Sequence, residues 1–315
     1  MAKLIVDIYG GDNGPEVVVK GALKALDEIK NLELVFAGEK ALVEKLAKAN
    51  GSELSRISYL DTTSFITNHD NPKLIFKGYD DSSLVKALEE CKNNPEVDGM
   101  FSCGATGAVM IGSIFRLGLL EKMSFPCLTA SLFSFSGKPL ILVDCGASVD
   151  CKPENILTFA KVGVATCKAY HGIKSPRVGL INVGKEEGKG NALMKESYNL
   201  LKENVENFVG NIEGSNVFAD DCDVIVCDGF SGNVILKLAE SVGLACASIS
   251  KDKEVKDRLY NTFAYNDLGA SMVMGAKKVV VKAHGAANEL TVYSSIKQAL
   301  KLVNGNVIKK LEELL

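Results

Sequence analysis

Tryptophan is absent from this chain, histidine occurs only three times, and no C-x-x-C pair exists among nine cysteines. These shortages exclude the usual zinc-ligand and thioredoxin-like spacings. The cysteine count is odd, and Cys91, Cys145, Cys167, Cys227 and Cys246 stand in apolar runs. They read as reduced, buried thiols acting as small hydrophobes. An excess of one charge is missing too. Against 36 Lys+Arg stand 39 Asp+Glu, a formal net charge of −3. With no basic excess or stripe, nucleic acid is not an expected partner. The uncharged stretch Gly99–Phe115 is only 17 residues long and holds four glycines, too short and too glycine-rich for a good membrane span. Near the start, Asp7 interrupts the apolar run of MAKLIVD before a signal-peptide core forms. A cytoplasmic location is therefore expected.

Several motifs are missing as well. No G-x-G-x-x-G follows the first apolar run, which disfavours a dinucleotide-binding half. No G-x-S-x-G elbow is present, which disfavours a serine hydrolase. GKEEGKGN is one residue short of a Walker A loop, and Gly190 stands where Ser or Thr would hold magnesium. ATP hydrolysis is disfavoured on that ground.

What is present is an alternation of short apolar strands and amphipathic helices over 315 residues, 47% of them hydrophobic. That length fits one large domain or two joined lobes. KLIVDI, LELVFAG, DGMFSCG, PLILVDCG, RVGLINVG, DVIVCDG and KVVVKAHG read as strands. They are apolar almost throughout, so both sheet faces are covered and the sheet is largely parallel. Pro15 opens the first helix at a position where its missing N–H costs nothing. Val292, Ile296, Leu300, Val303, Val307, Leu311 and Leu314 keep one face of a single final helix. Lys251–Arg258, KDKEVKDR, reads as a solvated excursion.

The expected strand ends share one character. They carry Gly10-Gly11-Asp12, Ser102 to Gly107, Asp144 to Ser148, Gly184 to Asn191, Asp228 to Asn233, and His284 to Asn288. In open α/β sheets ligands bind beyond the carboxyl ends of the strands. Glycine admits close backbone approach, and free N–H groups at helix starts favour an anion. Six such loops point to a phosphate-type ligand held by Gly10, Gly11, Asp12, Gly104, Thr106, Gly107, Gly146, Gly188, Gly190, Asn191, Asp228 and Gly232. Lys189 suits phosphate as a point charge, or is a solvated surface lysine. Asn191 and Asn233 are neutral donors able to polarise a carbonyl, or they are turn formers and helix caps. Asp7, Asp12, Asp144 and Asp228 hold partners or cap helices. His284 is an acid–base group or a structural histidine. Cys151, ahead of a proline-opened helix, is the one cysteine to weigh as a nucleophile.

VDIYGGD, YDDSSLVKAL, SCGATGA, LVDCGASVDCKPENILTFA, PRVGLINVGKEEGKGN, VCDGFSGNVILK and VVVKAHG together resemble the bacterial PlsX family of phosphate acyltransferases, in the family's order along nearly the whole chain. The resemblance implies a homodimeric three-layer α/β/α enzyme, similar in fold to isocitrate and isopropylmalate dehydrogenases. It implies that acyl-carrier protein and inorganic phosphate give acyl phosphate and free carrier protein, with no cofactor and no metal. A membrane glycerol-3-phosphate acyltransferase would use the product in phospholipid synthesis. The family's catalytic lysine and asparagine fall on Lys189 and Asn233. Three departures stand out: Ala105 occupies the usual asparagine position, DIYGGD replaces DAMGGD, and the helical tip, about residues 238–265, is short and charged before a degenerate YNDLGAS. The altered tip leaves membrane-surface association open. Other acyl donors for the same chemistry are acyl-CoA or an enzyme-bound thioester; a dehydrogenase of the same fold is the other reading. For an acidic carrier, Arg116, Lys122 and the basic residues of the tip are the candidate docking charges.

Overall fold

The structure is a computed structural model describing residues 1–315 apart from 68–69, 77–78 and 264–269, with backbone alone for Leu74 and Asn261. The expected YNDLGAS stretch lies largely outside the described residues. The chain divides into two compact units, Met1–Pro126 with Asn266–Asn304, and Cys127–Tyr265 with Gly305–Leu315.

The first unit runs β1 (Ala2–Asp7), α1 (Pro15–Glu28), β2 (Leu32–Gly38), α2 (Lys40–Asn50), β3 (Ile57–Asp61), α3 (Ser83–Asn93), β4 (Gly99–Ser102) and α4 (Thr106–Gly112). The second runs β5 (Cys127–Phe133), β6 (Pro139–Val143), α5 (Pro153–Thr166), β7 (Val178–Asn182), α6 (Ala192–Asn204), β8 (Phe208–Glu213), β9 (Val224–Val226), α7 (Gly229–Ile249) and α8 (Lys253–Phe263). β10 (Ser271–Met274), β11 (Val279–Lys282) and α9 (Glu289–Asn304) return to the first unit, and α10 (Val307–Leu314) ends in the second.

In the first unit the strands stand in the order β3-β2-β1-β4-β11-β10, all parallel except β10 against β11. Leu4, Ile5 and Val6 are wholly buried, as covered parallel strands require. Helix α1 turns Val18, Val19, Ala22, Leu23 and Leu26 inward, and α9 packs against it. In the second unit the order is β5-β6-β9-β7-β8, with only β5 antiparallel. Each unit is thus a largely parallel sheet flanked by helices, with one antiparallel strand.

One expectation needs revision. The final helix is broken: Gly305 closes on the Ala169 backbone, Asn306 adopts φ +52°, and α9 and α10 separate there. Apolar spacing ran through the break because each helix buries an apolar face of its own, Val292 and Ile296 on α9 and Val307 and Leu311 on α10. The charged stretch runs into helix α8, with Lys251 to Arg258 all exposed. Of the described helices, α7 is long and apolar enough to cross a membrane by length and composition.

Candidate active site

Parallel strands bring their carboxyl ends to one edge, so β1, β4 and β11 assemble three of the glycine loops in the first unit. Beneath them lies Asp7, fully buried. Its carboxylate accepts hydrogen bonds from Ser83 Oγ at 2.6 Å, Ser102 Oγ at 2.7 Å and the Tyr9 N–H at 3.3 Å. Burial pushes its carboxyl up to about 6, against the pull of those three bonds. Ser102 Oγ in turn accepts the Gly104 N–H at 2.9 Å, so the carboxylate fixes the start of that loop. Gly10 packs directly on Gly104, where a β-carbon would fall 2.8 Å from the Gly104 Cα. The Asp12 N–H donates to the Gly285 carbonyl at 2.7 Å, and the Asp12 carboxylate lies against Gly285. Thr106 and Gly107 are exposed at the start of α4, whose cap, Ala105, supplies no side-chain hydrogen bond. His284 is exposed, and its Nδ1 accepts the Ala286 N–H at 3.2 Å. An acceptor Nδ1 puts the proton of the neutral ring on Nε2, which makes the open nitrogen a donor.

In the second unit β6, β9 and β7 do the same for the other three loops. Asp144 is buried there and is satisfied by backbone. It takes the N–H groups of Leu128 at 2.9 Å, Ala147 at 3.1 Å and Ser148 at 2.7 Å. Burial raises its carboxyl, opposed by these bonds. The Ala147 and Ser148 N–H groups are therefore committed inward to Asp144. Asp228 caps α7, accepting from the Ser231 N–H at 2.8 Å and Oγ at 2.9 Å. Gly232 answers a packing demand: a β-carbon there would lie 1.8 Å from the Asp144 carbonyl oxygen. Asn233 sits beside Gly146, where a β-carbon would fall 2.8 Å from the amide Nδ2.

The loop after β7 is different. Lys189 is exposed, and its ammonium makes no hydrogen bond or ion pair among the described residues. The N–H groups of Gly188, Gly190 and Asn191 likewise have no partner among the described residues. The Asn191 side chain caps α6 by accepting the Met194 N–H at 2.9 Å, which commits its amide oxygen to the helix start. Three N–H donors and an ammonium without partners among the described residues are groups of the kind that favour an anion.

Two candidate residues change character. The Cys151 thiol donates to the Ser148 carbonyl, and burial pushes it up to about 11, away from thiolate reactivity. Arg116 is bound by Glu89, Asp80 and the Ile75 carbonyl, which leaves it little free charge for an acidic carrier. Sequence reading placed Ser102 at a strand end without a role and missed Ser83, Asn182 and Asn211. Only Asn182 carried a signal, an amide closing the otherwise apolar run VGLIN.

The fatty acid synthesis protein family matches residues 2–310. A phosphate acyltransferase of Clostridium novyi (strain NT) is 34% identical over 325 residues, covering 98% of this chain and 97% of the relative. The chain belongs to the PlsX family of phosphate acyltransferases. Among solved structures, a phosphotransacetylase from Streptococcus pyogenes aligns with TM-score 0.65 at 17% identity, covering 99% of this chain and 94% of that one. Isocitrate dehydrogenase from Methylococcus capsulatus aligns with TM-score 0.50 at 10% identity, over 98% and 88%. The PlsX fold is thus shared with a dehydrogenase, while membership of the family makes acyl transfer to phosphate the reaction to explain.

Proposed function

We propose that this PlsX chain transfers a fatty acyl group from the thioester of an acyl-carrier protein to inorganic phosphate. The observation that carries the reading is the Gly188–Asn191 loop, with one ammonium and three N–H groups that have no partner among the described residues. A phosphate oxygen attacks the thioester carbonyl and a C–O bond forms. The tetrahedral intermediate collapses, the C–S bond breaks, and the thiolate leaves with the electron pair. The proton of hydrogen phosphate ends on the sulfur. Lys189 and the loop N–H groups hold the nucleophile, supplying proximity. The Asn233 amide stabilises the oxyanion. The high thiol of Cys151 supports direct attack without an acyl-enzyme.

The donor is an acyl-carrier protein rather than acyl-CoA. The enzyme works in the cytoplasm as a homodimer and passes acyl phosphate to a membrane glycerol-3-phosphate acyltransferase. The test is phosphate-dependent release of carrier thiol, with acyl-CoA run in parallel and sedimentation reporting the dimer. Lys189→Ala is expected to raise KM for phosphate and largely abolish turnover. Asn233→Ala is expected to lower kcat by roughly 10²–10³. Near-wild-type turnover in Lys189→Ala would sink the assignment.

A further inference from the structure

Beneath the lysine loop lie two buried amides in series. Asn182, at the end of β7, is 8% exposed, and Asn211 on β8 is 5% exposed. Asn182 Nδ2 donates to the Lys189 carbonyl at 3.1 Å and to Asn211 Oδ1 at 3.0 Å. Its Oδ1 accepts the Val183 N–H at 2.8 Å. Asn211 Nδ2 donates to the Glu186 carbonyl at 2.8 Å. Both amide orientations are fixed by these partners, because carbonyl oxygens accept only and an N–H donates only. The pair therefore grips the loop at two carbonyls, those of residues 186 and 189.

The grip on Lys189 has a directional consequence. In a trans peptide the carbonyl of one residue and the N–H of the next point in opposite directions. Drawing the Lys189 carbonyl inward onto Asn182 turns the Gly190 N–H outward. That N–H has no partner among the described residues. Gly190 can sit there because it has φ +94° and no β-carbon; one would fall 2.4 Å from Asn182 Oδ1. An alanine would be strained by both facts.

We infer that Asn182 is a positioning residue for phosphate: by holding the Lys189 carbonyl inward it aims the Gly190 N–H, and with it the lysine loop, at the anion. This rests on the reading of Lys189 as the phosphate-holding residue. Asn211 keeps Asn182 in the donating orientation and ties the other half of the loop.

The experiment uses the full-length enzyme with inorganic phosphate and acyl-carrier protein varied separately. Asn182→Ala is expected to raise KM for phosphate about 10- to 100-fold, the worth of one hydrogen bond to a charged group. KM for the acyl carrier should stay within about twofold, on the same scale. In the ¹⁵N-labelled wild-type protein, titration with inorganic phosphate is expected to move the Gly190 amide proton downfield, a readout that needs no variant to fold. If Lys189→Ala loses phosphate use while Asn182→Ala keeps wild-type KM for phosphate, the inference is overturned and the reading of Lys189 stands. If Lys189→Ala keeps phosphate use, the reading itself fails. An unmoved Gly190 amide at saturating phosphate overturns the inference as well.

Discussion

Asp7 ends β1 and Asp144 directly follows β6, one in each unit and each buried under a glycine loop, yet they are satisfied by different chemistry. Asp7 draws on the hydroxyls of Ser83 and Ser102, on α3 and β4, far away in sequence. Asp144 draws on backbone N–H groups, two of them from its own loop. The first arrangement uses a carboxylate to tie separate elements together, and the tie can be cut at either serine. The second uses a carboxylate to shape one loop, and its donors cannot be removed by mutation. The lesson is that a buried strand-end carboxylate does not by itself mark an acid–base group. Here each one aims the backbone above it.

The largest expected effect is at Asp144. Asp144→Ala leaves the buried Leu128 N–H and the half-buried Ala147 and Ser148 N–H groups without an acceptor, each costing up to about 1–3 kcal/mol. A loss on the order of 3–5 kcal/mol is expected in urea unfolding, in the range of a broken buried network. A loss below about 1 kcal/mol, the scale of an ordinary exposed bond, would mean that water replaces the carboxylate.

Asp7 offers the pH contrast. Its folded value of about 6 lies above the ordinary 3.8, so between the two the folded state holds more protons than the unfolded one. Stability from this group is therefore full below about pH 4 and falls as pH rises through 6, by roughly 2–3 kcal/mol. Asp7→Asn removes that fall. Urea melts of both proteins from pH 4 to pH 7.5 should diverge in that window, the wild type losing ground as pH rises. Parallel curves would show that the carboxylate is not penalised by its burial.

Much of the fold was legible because parallel strands covered on both faces must be apolar throughout, and LELVFAG falls on β2 to the residue. β3, β5, β8 and β10 were not. β8 stands at a sheet edge, four of its six residues short of full burial, and β10 is four residues long. The break at Gly305–Asn306 was hidden because packing on either side preserved the spacing. Of the candidate site, the glycines were legible, but not their reasons. Gly232 answers a steric demand from the Asp144 carbonyl that only tertiary structure reveals. Asn182 and Asn211 stayed hidden because an amide in a strand gives no sign of which carbonyl it will meet. Arg116 looked free because its partners, Asp80 and Glu89, come from other elements.

The smallest effect sharpens the same contrast at helix starts. In the second unit α6 and α7 are capped by side chains, Asn191 onto the Met194 N–H and Asp228 onto the Ser231 N–H. In the first unit α4 has Ala105 at that position, extended at φ −52° and ψ 126°, with no side-chain cap. The backbone there already has a shape that a capping residue can use. Asn at this position accepts an N–H from the first turn, and such caps are worth about 1 kcal/mol over alanine. Ala105→Asn is therefore expected to raise Tm by about 2–4 °C, with Asn191→Ala and Asp228→Ala falling by a similar amount as the reverse cases. The measurement is calorimetry of the three variants, with and without inorganic phosphate. If Ala105→Asn gains nothing in phosphate-free buffer while the two alanine variants lose stability, the α4 start is not limited by its missing cap, and the two units differ there for a reason other than capping.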